Sequence, residues 1–261
     1  AGAGAWTTTL TIPLSYPRGN AADENYDITR WYNWVSNFNV LKYNPSTSAT
    51  NIGLIRPQPI LSEIQFDVDG TLMIGFMDRL GNQSGKFQPD GNGVGSYFGE
   101  IGGDLLRAYN NGCSYELETN GKEGASSPKL GTNGANKGQG PGTGIFGAGG
   151  INYGEFYWDE RFGSIVNGKN AHSETILGGL AFLPGSDEIL AGVMDPFTIF
   201  SNGSNRFNNT TGAGGNKYEI VSDQESGTFA KAVSLGDIEL ILPIAPIEIG
   251  NRVWYDINSN G

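Results

Sequence analysis

The most specific spacing of chemistry-bearing residues is at Asp256, Asn258 and Asn260, in the run DINSNG that reaches Gly261. Side chains two apart in a D-x-N-x-N-G loop can turn their oxygens onto one hard cation. Glycine at the sixth position permits the sharp turn such loops need. Calcium is the expected ion. Asparagine replaces aspartate at two of the three positions, which lowers the charge of the site. No later acidic ligand follows in the sequence, so the site is expected to be incomplete as it stands.

Other runs suggest chemistry but lack the context it needs. FDVDGTL at 66–72 matches the D-x-D-G-T loop of aspartate-nucleophile phosphotransferases. That reaction requires a doubly wound α/β scaffold, a lysine and further acids around Mg²⁺. Here LMIGFM follows at once, so Asp69-Gly70 reads as a hairpin turn. GTGIFG at 142–147 fits G-x-G-x-x-G, but glycine-rich sequence flanks it instead of a strand and a helix. His172 is the sole histidine. Its neighbours Ser173 and Glu174 do not make a triad by adjacency, and no G-x-S-x-G elbow exists. Asp159, Glu160 and Arg161, in EFYWDERF, are the first group to inspect for a glycosidase-type carboxylate pair. No catalytic and no cofactor-binding residue is expected, and a non-enzyme is the reading adopted.

The elements that would position such groups are short strands. The chain has 261 residues, 41 of them glycine with no G-x-y period, and 38% are hydrophobic. That is too apolar for disorder and suits β structure joined by Gly/Asn/Ser turns. WTTTLTIPLSY alternates as a half-buried strand does. Trp31, Trp34, Val35 and Phe38 are spaced as one helical face, with Asp27 as N-cap; core packing is preferred there over an aromatic carbohydrate platform. Residues 119–150 should form a mobile surface excursion or an ordered loop pinned by its glycines.

An internal repeat sets the architecture. ILSEIQFDVDGTLMIGFMD at 60–78 aligns with ILGGLAFLPGSDEILAGVMD at 176–195, each a strand, tight turn and strand. Gly103–Leu117 looks like another hairpin, and Leu235–Leu242 like a weaker copy. Recurring hairpins with long insertions predict an all-β fold, a β-propeller or part of one with Gly-rich loops, with a β-sandwich as the alternative.

The formal charge is −11, and no Lys/Arg cluster gives the basic footprint that nucleic acid requires. No apolar run is long enough to span a membrane; Ile238–Ile249 is broken by Glu239, Pro243, Pro246 and Glu248. Cys113 is the single cysteine and reads as a core residue on a strand. Asn82, Asn202, Asn208 and Asn209 begin N-x-S/T sequons in segments that read as exposed loops.

IEIGNRVWYDINSNG resembles the opening of the SdrD B-like (Sdr-repeat) domain of large bacterial surface proteins. EIQFDVDGTLMIGFMDR, GDLLRAY, TILGGLAFLPGSDEIL, RFNNTTGA and GTFAKAVSLGDIELI resemble the propeller-like region that precedes such domains. The resemblance implies a 1–245 propeller-like domain, without its N-terminal part, and a 246–261 start of an immunoglobulin-like calcium-binding domain. It makes Asp256, Asn258 and Asn260 the calcium ligands. The expected function is a non-catalytic structural or adhesion module of a secreted bacterial surface, matrix or filament protein. Its partners would be other protein chains, including copies of itself, or glycans. An extracellular carbohydrate-active enzyme or a glycan-binding module is the alternative.

Overall fold

A computed structural model describes residues 6–16, 30–41, 51–54, 56–85, 87–89, 95–99, 102–128, 140–141, 154–158, 165–166, 169–170, 174–223 and 234–241. In chain order the strands are β1 (Asn51–Leu54), β2 (Pro59–Phe66), β3 (Leu72–Asp78), β4 (Gln88–Pro89), β5 (Ser96–Gly99), β6 (Asp104–Asn110) and β7 (Tyr115–Leu117). There follow β8 (Ile165–Val166), β9 (Lys169–Asn170), β10 (Ile176–Phe182), β11 (Glu188–Met194), β12 (Asn202–Asn208) and β13 (Gly214–Val221). One short helix, α1 (Arg79–Ser84), follows β3. The all-β class expected from the sequence is what the chain adopts.

Two four-stranded antiparallel meanders dominate, in the orders β2-β3-β6-β7 and β10-β11-β12-β13. They pack on each other through β10 against β2 and β3, as the sheets of a sandwich do. Each is also an up-and-down unit of the kind a propeller blade uses; no closed barrel forms among the described residues. The repeat is real in three dimensions. Both hairpins turn at a left-handed glycine, Gly70 (φ 80°) and Gly185 (φ 82°), and both second strands lead into a buried aspartate. Asp78 accepts from the amides of Leu80, Gly81 and Gln58. Asp195 accepts from the Phe200 amide at 2.7 Å. A carboxylate that gathers amides where a strand leaves the sheet satisfies donors the ladder has abandoned.

The burial pattern explains the β3 sequence. One face of the first meander joins the inter-sheet core, where Met73 and Leu105 meet Ile176, Leu180, Ile189, Val193 and Phe207. The opposite face, with Leu72, Ile74, Phe76, Leu106 and Ala108, is covered by Tyr16 and Trp31. A strand buried on both faces reads as a continuous apolar run, as LMIGFM does.

Where the sheets meet, β10 bulges between Ile176 and Leu180, and side chains from β2 replace the missing ladder partners. The Ser62 hydroxyl lies 2.8 and 2.7 Å from the carbonyl oxygens of Gly75 and Gly178. Glu63 accepts from the Leu180 amide at 2.6 Å. Gly178 has φ +90°, and a Cβ there would fall 2.8 Å from the Met77 nitrogen. Gly178→Ala therefore meets both backbone strain and a backbone clash. We expect a loss of about 2 kcal/mol or more, read as a lower midpoint in urea unfolding. An unchanged midpoint would mean that the sheets can separate there at no cost.

Several expectations are corrected. Residues 31–37 are not helical; only the 3-10 turn Phe38–Leu41 forms, because Trp31 is drawn into the core while Trp34 stays exposed. WTTTLTIPLSY alternates as expected, with Leu10, Ile12 and Leu14 packed on the core, but it forms no strand and ends in a turn at Leu14–Ser15. Residues 235–241 form no strand, and Gly236 among them is left-handed (φ 98°). Cys113 is exposed in the β6–β7 turn, not in the core. The hairpin at Gly103–Leu117 forms as β6 and β7. In the tract 119–150, the described residues 119–128 are ordered and packed, with Glu123 and Ser127 buried.

Candidate functional site

Among the described residues, the densest assembly of charged groups lies inside the inter-sheet core, around Arg107 of β6. Its guanidinium is fully buried. Nε donates to Glu123 in an ion pair, and Nη1 donates to the Tyr157 hydroxyl at 2.7 Å and to Asn209. Asp67 in the β2–β3 turn approaches Nη2 at 3.7 Å. The rings of Phe156 and Tyr157 lie 5.0 and 5.9 Å from the guanidinium carbon. Tyr157 donates to Asn209 at 2.6 Å, and Asn209 donates to Asp67 at 2.8 Å. Glu118 accepts from the backbone amides of Arg107 and Phe156 at 2.7 and 3.2 Å.

The fold explains this convergence. Alternation along β6 sends Leu105 and Arg107 to the inter-sheet face and Leu106 and Ala108 to the other. The glycines of the 119–128 tract let it fold inward. Gly121 is left-handed (φ 79°), and Gly124 runs beside Tyr109 and Glu116 with no room for a Cβ. That path carries Glu123 to Arg107. Phe156 and Tyr157 come from a short segment that joins the second meander through the Trp158–Ala213 bridge. The clasp thus draws on the β2–β3 turn, β6, the 119–128 tract, the 154–158 segment and the β12–β13 turn.

Burial shapes its electrostatics. Desolvation pushes the Glu118 carboxyl up to about 8, with the Asp104 charge adding to it; the two amides and Arg107 pull the other way but less. Desolvation likewise raises Tyr157 to about 12. Burial works against the Arg107 charge, yet the oxygens of Tyr157 and Glu123 more than offset this and hold it above its ordinary value. These groups are sealed from solvent. Removing one partner of such a buried set strands the charge of the other.

Two further features lie beside the Arg107 clasp. Asp104, Glu155 and Glu174 are buried, with one oxygen of each within 4.8 Å of the others. Tyr16 donates to Asp104 at 2.6 Å, and Trp31 donates to Tyr16 at 3.0 Å. Such a set has the hard oxygens a divalent cation takes, though acidic groups also cluster without one. The second feature is an open cleft of about 560 Å³ beside β11 and β12, lined by Leu183, Asp187, Glu188, Arg206 and Leu240 among others. Arg206 donates to Glu188 at 2.7 Å there, an exposed pair of small energetic weight. The Glu188 hydrogen bond is the main reason the Arg206 charge is held more firmly than usual.

The residues singled out from sequence fare unevenly. Asp256, Asn258, Asn260, His172, the Asp159–Arg161 group and GTGIFG all lie outside the described residues. Asp67 and Asp69 do form a hairpin turn, with the Gly70 amide donating to the Asp67 carbonyl at 2.9 Å. The sequon asparagines are not in exposed loops. Asn202 and Asn209 are buried. Asn208 caps its own turn through the Thr210 and Thr211 amides. Asn82 on α1 donates to the Asp78 carbonyl and accepts from the Ser234 amide. Sequence reasoning missed Arg107, Glu118, Glu123 and Tyr157 altogether. The visible signal was an arginine inside the apolar run GDLLRAY, which demands buried counter-charges somewhere in the chain.

No protein-family model matches this chain, and no solved structure matches it. Two curated proteins do, both from Dictyostelium discoideum. Colossin-B is 29% identical over 269 residues, covering 98% of this chain and 6% of its own length. Colossin-A is 29% identical over 269 residues, covering 98% of this chain and 2% of its own length. The chain is thus similar, over nearly all of its length, to a small part of two very long proteins that are not bacterial.

Proposed function

We propose that the chain is a non-catalytic structural or adhesion module of an extracellular protein. The observation that carries this reading is the buried clasp: Arg107, Glu118, Glu123 and Tyr157 are out of solvent and tie the first meander to the 154–158 segment and the β12–β13 turn of the second. Similarity to a small part of each Colossin supports a module within a larger chain. No helix among the described residues is long and apolar enough to cross a membrane. The bacterial surface setting and the Sdr-type continuation rest on the resemblance of residues 245–261, as do protein partners and self-assembly.

The test is surface biotinylation of intact cells that make the full protein, followed by lysis and recovery of labelled chains. Labelling of the intact cells or of their surrounding matrix is the expected result. A protein labelled only after lysis would overturn the reading.

Calcium at Asp256, Asn258 and Asn260 belongs to the same proposal. It predicts a calcium-dependent rise in melting temperature that a chelator reverses and that Asp256→Ala abolishes. A rise that persists in Asp256→Ala would remove the ion from this loop.

A further inference from the structure

Residues 31–34 form a rigid aromatic shelf. Trp31 is buried, with its ring 5.9 Å from that of Phe76 and its indole nitrogen donating to Tyr16. Three hydrogen bonds stitch the following residues to 57–59. The Tyr32 amide donates to the Pro57 carbonyl at 2.8 Å, Gln58 donates to the Asn33 carbonyl at 2.6 Å, and the Trp34 indole donates to the Pro59 carbonyl at 2.8 Å.

Trp34 is nevertheless 60% exposed. The Arg79 guanidinium lies 5.1 Å from its ring centre, and Arg79 is itself held by the Gln58 side chain at 2.7 Å. Arg56 lies 5.2 Å from the Tyr32 ring. A cavity of about 170 Å³ opens here, lined by Leu14, Trp31, Tyr32, Asn33, Trp34 and Pro59.

A large aromatic ring left in water and locked in orientation serves neither the core nor the ladder. Fixed, exposed indoles lower the ordering cost of binding a ligand with an apolar face and a polar rim. A pyranose has that form: its C–H face stacks on an indole, and its hydroxyls pair with nearby donors and acceptors. We propose that Trp34 is the stacking platform of a saccharide site, taking one uncharged pyranose unit of a glycan in the 170 Å³ cavity. Arg79, over one part of the Trp34 ring, and Asn33 provide polar groups beside the stacked sugar. The site does not depend on the structural reading above, since the cell-surface experiment and the binding experiment can fail separately.

The experiment is affinity electrophoresis of the chain in native gels containing dextran, galactomannan or a soluble glucan, with polygalacturonate as an acidic control. At least one neutral polysaccharide should retard the protein. Trp34→Ala should weaken that retardation by about tenfold or more, and Trp34→Phe, which keeps a ring, should retain part of it. Circular dichroism and the melting temperature would show that both variants are folded. Four results would overturn the proposal. One is the absence of retardation in every neutral gel, and another is retardation that Trp34→Ala leaves intact. The third is retardation by polygalacturonate alone. The last is a dimer that Trp34→Ala splits with no response to saccharide, which would make the shelf a protein contact.

Discussion

Arg107→Ala is expected to destabilise the fold by about 3 to 5 kcal/mol, the usual cost of removing one partner of a buried ion pair. Glu123 and Asp67 would be left with an unmatched negative charge. Tyr157 and Asn209 would each lose a hydrogen-bond partner. Lysine is no substitute, because the guanidinium contacts Glu123, Tyr157 and Asn209 in different directions and an ammonium cannot span that fork. If the loss comes from stranded charge, neutralising Glu123 as well should return part of it. The pair Arg107→Met with Glu123→Gln should be more stable than Arg107→Met alone. Urea unfolding of the four proteins in this cycle measures the coupling. A coupling near zero would mean that the two residues do not act as a pair.

Stability is expected to fall as pH rises from about 4.5 to about 8. The Glu118 carboxyl is raised to about 8 in the folded chain, chiefly by desolvation, against an ordinary value of 4.5. Between those values the folded state binds the proton and the unfolded state does not. Unfolding then releases protons, so raising the pH favours it. The contribution is complete below about 4.5 and is lost as pH passes the folded value near 8. Its size is on the order of a few kcal/mol for so large a shift. Glu63, at the contact of β2 with β10, is raised to about 7 by the same cause and acts in the same direction from about 4.5 to 7. Glu116 acts oppositely. Hydrogen bonds from Ser126 and Asn111 hold it near 2, so its stabilisation is lost as pH falls from about 4.5 through 2. The contributions of these three groups are therefore largest together near pH 4.5. Glu118→Gln should flatten the decline between pH 5 and 8 in a series of melting curves. A wild-type profile that rises across that interval would contradict the burial of Glu118 as a protonated acid.

Much of the fold could be read from local pattern. The hairpin repeat, its turns at Gly70 and Gly185, and its shared Met-Asp ending all report on adjacent residues, and all three recur in space. The alternation of Leu10, Ile12 and Leu14 was legible as burial but not as pairing, because period two marks any extended chain that lies on a core. The spacing of Trp31 and Trp34 misled for a related reason. Two residues three apart can share a helix face, but an extended segment can equally bury the first and expose the second. The clasp could not be read at all. Asp67, Arg107, Glu123, Tyr157 and Asn209 span 142 residues between the first and last, and only the packing of the two meanders brings them together. Glycine content left two outcomes open for the 119–150 tract, a mobile excursion or an ordered loop, and the described part takes the second. In 119–128 it does not loosen the chain but allows a close inward path that places Glu123 against Arg107.

A buried polar clasp should make the two meanders one cooperative unit. Hydrogen exchange of wild type and Arg107→Gln, followed peptide by peptide, tests it most directly. In wild type, β3 and β6 of the first meander and β10 and β11 of the second should exchange with the same opening free energy. In the variant all four should lose protection together and by a similar amount. Loss confined to β6, with β10 and β11 protected as before, would contradict the account.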